Sequence, residues 1–318
     1  MKNFQKILHN ILSETSKIFW ILFKVILPVV VIIRFLELRG AIPYLAKFLE
    51  PLTSFIGIDG SLGLVWMAAI LVNIYAGMAA FASLQAIFDY SVAETTILGL
   101  IILIAHSLPI EVAIARQSRV SAIFNLLFRF INAIIAGKIL NLIFVKYDLF
   151  SEKNISFLKV PSTTVTNIDW AILQIQNFLI IFLIIFSIIT TINILKYLGI
   201  WQIIINILRA PLSYLGMSDK VANIILIGLT LGISFGGGFL IDESKKNNIS
   251  KKDILLSLSF LSLCHSIIED TILILLLGSH ISGVLFFRFI YTVIIIMLMR
   301  YLLDTKYQKF ILEKITYD

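Results

Sequence analysis

Eight stretches of this chain are apolar for long enough to cross a bilayer: residues 18–36, 61–88, 92–115, 120–145, 171–195, 220–243, 253–278 and 281–303. At about 1.5 Å per residue, about 20 residues span a hydrocarbon slab of about 30 Å. Backbone that crosses lipid must satisfy its hydrogen bonds internally, and segments of this length do so as helices. The chain therefore reads as an all-α, polytopic integral membrane protein. Composition agrees: 59% of the residues are apolar, 14% are charged and the mean hydropathy is +0.99. An ordinary soluble domain carries about 25% charged residues. The single cysteine, Cys264, excludes an intrachain disulfide framework.

The formal net charge of +7 lies in short polar loops, the densest being Lys245, Lys246, Lys251 and Lys252. No aromatic residues interleave with these lysines, so they fit the positive-inside rule and not a nucleic-acid surface. No GxxxxGK[ST], HExxH or CxxC motif occurs, and Gly236-Gly237-Gly238 sits inside an apolar segment, not after a strand. The expectation is a protein that is not an enzyme and needs no cofactor, with lipid as its main partner and a homo-oligomer open to it. It is placed in the cell (inner) membrane, multi-pass, with both termini cytoplasmic.

The chain divides into residues 1–17, 18–145, 146–169, 170–303 and 304–318. Phe4, Ile7, Leu8, Ile11 and Leu12 make an amphipathic stripe in 1–17, either a surface helix or the wet end of the next one. Residues 146–169 are a polar linker and 304–318 a cytoplasmic tail. The two stretches 41–56 and 200–215 are shorter and mixed, and read as interfacial helices. The halves repeat at one offset, 159 residues, which relates Gly40 to Gly199, Gly77 to Gly236, His106 to His265 and Arg129 to Arg288. Ala105–Glu111 likewise resembles Cys264–Asp270. Several matches in order at a single spacing mark a duplication.

Eight straight spans would leave the copies parallel. If 61–88 and 220–243 are instead re-entrant hairpins, each copy crosses three times and the copies are inverted. The inverted arrangement puts 16 Lys/Arg on the side of the termini and 6 on the other, a sharper contrast than straight spans give. The hairpin centres offer Asn73 and Gly77 in the first and Gly232 and Gly236–Gly238 in the second as breakers.

Each half resembles the Gate (nucleoside recognition) domain. The resemblance rests on the Gly40/Gly199 turn, the Pro51/Pro211 interfacial helix, the Gly77 and Gly236–Gly238 segments and the His-Ser stretches that end in Glu111 and Asp270. Similar domains occur in spore maturation proteins A and B and in the membrane part of ferrous-iron transporter B, with a wider likeness to concentrative nucleoside transporters. The resemblance implies two inverted repeats, each with a crossing helix, an interfacial helix, a re-entrant hairpin, a broken helix and a closing helix.

Ionisable groups inside a bilayer are costly and usually face a partner or a cavity. His106, Ser107 and Glu111 flank Pro109 in one segment; His265, Ser266, Glu269 and Asp270 lie in its counterpart. Inverted copies would bring them together near the midplane, opposite hairpin tips carrying Asn73, Gly77, Gly236 and Gly237. Carbonyls freed at the break near Ala105 and His106 would need donors or a cation. One reading makes this a site for a proton, a cation or another small polar solute. The other has the groups neutralise one another and the arginines: Arg288 is placed to pair with Glu269, whereas Arg129 lies too deep relative to its own turn for Glu111. Trp20, Trp66 and Trp170 read as interfacial anchors. The functional expectation is a secondary transporter or permease with a midplane site, its substrate a divalent metal or a nucleoside-like solute. The alternatives are a non-transporting membrane scaffold and a transport half with a cytosolic partner on the 244–252 loop.

Overall fold

The computed structural model describes residues 2–85, 87–158, 166–200, 202–203, 206, 215, 217, 219–245, 249–305 and 308–317. Among these there is no β-strand beyond two isolated bridges. Helix α1 (Lys2–Leu38) is continuous, so the stripe of residues 4–12 and the apolar stretch 18–36 share one axis. A left-handed Gly40 (φ 63°) then turns the chain into α2 (Ile42–Ile56). Tyr44 and Phe48 on α2 are exposed, and its axis meets that of α3 (Gly60–Leu71) at 92°. This is the geometry of a helix lying along an interface before the chain dives inward.

Helices α3 and α4 (Ile74–Leu84) form a hairpin. The Asp59 side chain caps α3 by accepting from Ser61 N–H, and Asn73 caps α4 by accepting from Ala76 N–H. Twelve residues reach about 18 Å, roughly to a bilayer midplane. The Ser61 and Tyr90 hydroxyls lie 2.7 Å apart, so the hairpin enters and leaves at one face. At that face a Ser91/Glu94 capping box starts α5 (Val92–Ile104). Helix α5 breaks at residues 105–107 and continues as α6 (Leu108–Gln117); α7 (Ala122–Tyr147) then returns.

Helix α8 (Asn167–Tyr197) runs antiparallel to α1: Arg34 near the end of α1 donates to Asn167 at 3.3 Å, and Phe19 meets Phe182 edge-on at 5.3 Å. The same order then repeats as α9 (Asp219–Leu231), α10 (Ile233–Lys245), α11 (Lys251–Leu263), α12 (Glu269–Leu275) and α13 (Ser282–Leu303). The first six residues of α13 form wider π-helical turns. A short α14 (Gln308–Ile315) closes the described chain. The interfacial counterpart expected at 200–215 falls mostly outside the described residues.

Contacts at the ends establish that the copies are inverted. On the first face lie the mouth of the α3–α4 hairpin, the start of α5 and the linker, whose Phe150 and Glu152 carbonyls accept from Ala93 and Val92 N–H. The turn between α12 and α13 lies there too: Asn154 Nδ2 donates to Leu277 O at 2.8 Å, and His280 N–H donates to Thr96 Oγ1 at 2.7 Å. On the second face, Ser121 N–H, in the α6–α7 turn, donates to Ile315 O at 2.7 Å, and Lys252 at the start of α11 pairs with Asp304 just after α13. Arg119, Ser244, Lys251 and Thr316 line one cleft there, so the second hairpin opens on this face. The broken helix of each copy thus runs opposite to its counterpart.

The hydrophobic cores exchange ends accordingly. Leu273, Ile274, Leu277 and Val284 pack into the core of the first copy, while Ala115 and Val120 pack into that of the second. The broken helix α5–α6, α7, α8 and α13 are each long and apolar enough to cross a membrane.

The hairpin tips correct one expectation. Gly77, Gly236 and Gly237 are wound into helices α4 and α10, as is Gly238, and do not break them. The second tip turns at Gly232 alone (φ 89°), and the first at residues 72–73. Gly77 serves close packing instead: a Cβ there would sit 2.9 Å from Ala69 Cβ on the opposite arm.

Candidate functional site

Both broken helices stop in the same way. Ser107 (φ 49°) and Ser266 (φ 44°) adopt left-handed backbone, which interrupts each helix for about one turn. The hairpins hold these breaks in place: Ser107 N–H donates to Ala69 O at 2.9 Å, and Ser266 N–H donates to Gly228 O at 3.2 Å. Pro109 falls in the first turn of α6, where its missing N–H leaves no acceptor unpaired.

Carbonyls at the breaks, Ala105 O among them, find donors in the protein. At the end of α5, Ile102 O accepts from His106 Nδ1 (2.8 Å), Leu103 O from Arg288 Nη2 (3.0 Å), Ile104 O from Arg129 Nε (2.8 Å) and Ala105 O from Trp66 Nε1 (3.1 Å). At the end of α11, Leu261 O accepts from His265 Nδ1 (2.8 Å), while Leu263 O and His265 O accept from Arg288 (2.9 and 3.1 Å). Trp66 is therefore a buried brace at the break and not an interfacial anchor; it is 2% exposed and stacks on Phe130. These carbonyls are taken up by donors of the protein, which leaves the side chains as the candidates for binding.

Those side chains converge. The imidazoles of His106 and His265 lie 5.1 Å apart between ring centres. A carbonyl oxygen only accepts, so each Nδ1 must carry the proton, and in the neutral ring each Nε2 presents a lone pair. Both Nε2 atoms face the same two carboxylates. His106 Nε2 is 3.8 Å from Glu111 Oε1 and 3.9 Å from Asp270 Oδ2; His265 Nε2 is 3.7 Å from each. These separations exceed a hydrogen bond. Glu111 is 2% exposed and Asp270 7%. Glu111 and Asp270 are related by the 159-residue offset, so the pair of acids, like the pair of histidines, is two-fold.

Two expectations about the arginines are overturned. Arg129 makes direct contact with Glu111, because the break at residues 105–107 redirects α6 and brings Glu111 back toward α7. Arg288 spends its guanidinium on the three carbonyls named above, and no Arg288–Glu269 ion pair is seen among the described residues. Glu269 stands at the edge of the cluster and accepts from Tyr75 Oη at 3.4 Å. Its counterpart in the first copy is Ile110, so it lies outside the two-fold set.

The remaining predicted residues have structural duties. Ser107 and Ser266 form the breaks, Asn73 caps α4, and Gly77 lets the hairpin arms approach. Gly236 and Gly237 lie in the first half of α10, which packs against α6. The roles of Trp66 and Arg129 were not anticipated; the shared offset of Arg129 and Arg288 was the signal that each would meet its own copy's break, and Arg288 also reaches Leu103 O of the other copy.

Fold and site define a class: a polytopic membrane protein of two inverted repeats with a buried histidine–carboxylate cluster where two broken helices meet. The chain is 27% identical over 279 residues to the uncharacterized membrane protein YvoD of Bacillus subtilis (strain 168), covering 85% of this chain and 86% of that protein. No family model and no solved structure matches it.

Proposed function

We propose that the protein is a secondary transporter or permease that passes a small polar solute or ion through the cluster between the repeats. The observation that carries this reading is the meeting of two interrupted helices, each braced by its own hairpin, at one set of buried titratable side chains. Broken helices at the midplane between inverted repeats are how such carriers build alternating-access sites. The Gate-domain resemblance supports the same reading, since its repeats have this order of elements. Both termini are taken as cytoplasmic, because the inverted arrangement of the sequence assigns 16 of the 22 loop Lys/Arg to the side of the termini. A scaffold would not need two buried histidines and two buried acids with carboxylate oxygens that lack hydrogen-bond partners among the described residues.

The test is flux. Purified protein in liposomes is challenged with nucleosides and with divalent cations, while internal pH and cation are followed by entrapped dyes. At least one solute is expected to produce flux that Asp270→Asn abolishes, with insertion and monodispersity retained. Silence of the intact protein toward every solute would favour the scaffold.

A further inference from the structure

Resting on that reading and naming its substrate class, we infer that His106, His265 and Asp270, with Glu111 completing the set, bind a divalent transition-metal ion. One donor atom from each of His106, His265 and Asp270 lies within 4.8 Å of the others, and all three residues are buried. Glu111 Oε1 is 3.8 and 3.7 Å from the two Nε2 atoms. Two nitrogens and two oxygens thus alternate around a space with four N···O separations of 3.7–3.9 Å. A tetrahedral ion with bonds of about 2.0–2.1 Å has ligand–ligand edges of about 3.4 Å. Along these four N···O edges the side chains need to close by only a few tenths of an ångström.

Three further observations support the assignment. The Nδ1–H bonds to Ile102 O and Leu261 O fix the tautomer that leaves both Nε2 lone pairs facing inward, the second-shell arrangement of metal-binding histidines. Glu111 Oε1 and Asp270 Oδ2 are buried without a hydrogen-bond partner among the described residues. An orphaned buried carboxylate oxygen is costly, and a cation relieves it. The charge count agrees: with Glu269 at the cluster's edge included, three carboxylates stand against the guanidinium groups of Arg129 and Arg288, a surplus of one negative charge with neutral imidazoles. Imidazole with carboxylate selects ions of the zinc, iron(II), cobalt or manganese kind over calcium or magnesium, which prefer all-oxygen shells. Cys264 precedes His265 but is not part of the donor set.

The experiment uses the full chain in detergent, with cobalt(II) as the probe. Titration should give one equivalent bound with the intense visible d–d bands of a tetrahedral ion, bleached by zinc(II) but not by magnesium. His265→Ala and Asp270→Asn should each weaken binding at least about tenfold. Should these variants fail to fold, hyperfine spectroscopy of copper(II) bound to the unaltered protein counts the coordinated imidazoles, and two are expected. Absence of stoichiometric binding, or one or no coordinated imidazole, overturns the inference. Because binding is read without flux, metal bound by a protein that transports nothing leaves this site standing and removes the permease; flux of another solute with no metal bound does the reverse.

Discussion

Glu111 and Arg129 touch each other at 2% and 0% exposure, so neither charge can be removed alone without stranding the other. Breaking a buried pair from one side typically costs about 3–5 kcal/mol. Arg129→Met should therefore lower unfolding stability in detergent by about that amount. The double variant Glu111→Gln/Arg129→Met should recover part of the loss; strict additivity would show that the pair is not coupled. Gly278→Ala is expected to destabilise more than an exposed Gly→Ala elsewhere, because φ is +90° and a Cβ would lie 2.7 Å from Ile155 O. The identities at this scale were readable in the chain because a duplication makes each functional type occur twice. The Glu111–Arg129 contact was not. Depth counted along a straight helix separates the two residues, and only the left-handed Ser107 shows that the helix changes direction just before Glu111.

The matched elements begin alike. The Ser91 side chain accepts from Glu94 N–H, and that of Ser250 accepts from Asp253 N–H, 159 residues later. Ser91→Ala and Ser250→Ala should each lower stability by about 1 kcal/mol, measured by thermal unfolding, with similar values for the two copies. At the second face, Lys252 donates to the Asp304 carboxylate and holds it below its ordinary pKa. A depressed folded pKa means that the contact is present at neutral pH and is lost as pH falls through that value. In a carboxyl-labelled NMR titration Asp304 should titrate below an ordinary aspartate, and Lys252→Met should raise its midpoint. Element existence was legible from apolar runs, and the hairpins from the contrast in loop charge. Tip positions were not, because glycine serves a tight helix–helix approach at Gly77 as readily as it serves a turn at Gly232.

At the scale of the whole molecule, inversion makes the site. The broken helices run in opposite directions and their interruptions sit beside one another, so each copy supplies one histidine and one acid. Parallel copies would separate the same four residues. The exchanged core ends, with residues 273–284 in the first core and 115–120 in the second, tie the copies into one unit. The most direct measurement is sided labelling of single cysteines with a membrane-impermeant maleimide, placed at three exposed positions: Glu50 on α2, Asp89 at the exit of the first hairpin and Lys245 at the exit of the second. The inverted arrangement predicts that Glu50→Cys and Asp89→Cys react from one side and Lys245→Cys from the other. Glu50→Cys reacting alone on one side, with Asp89→Cys and Lys245→Cys together on the other, would mean straight spans and would contradict the account.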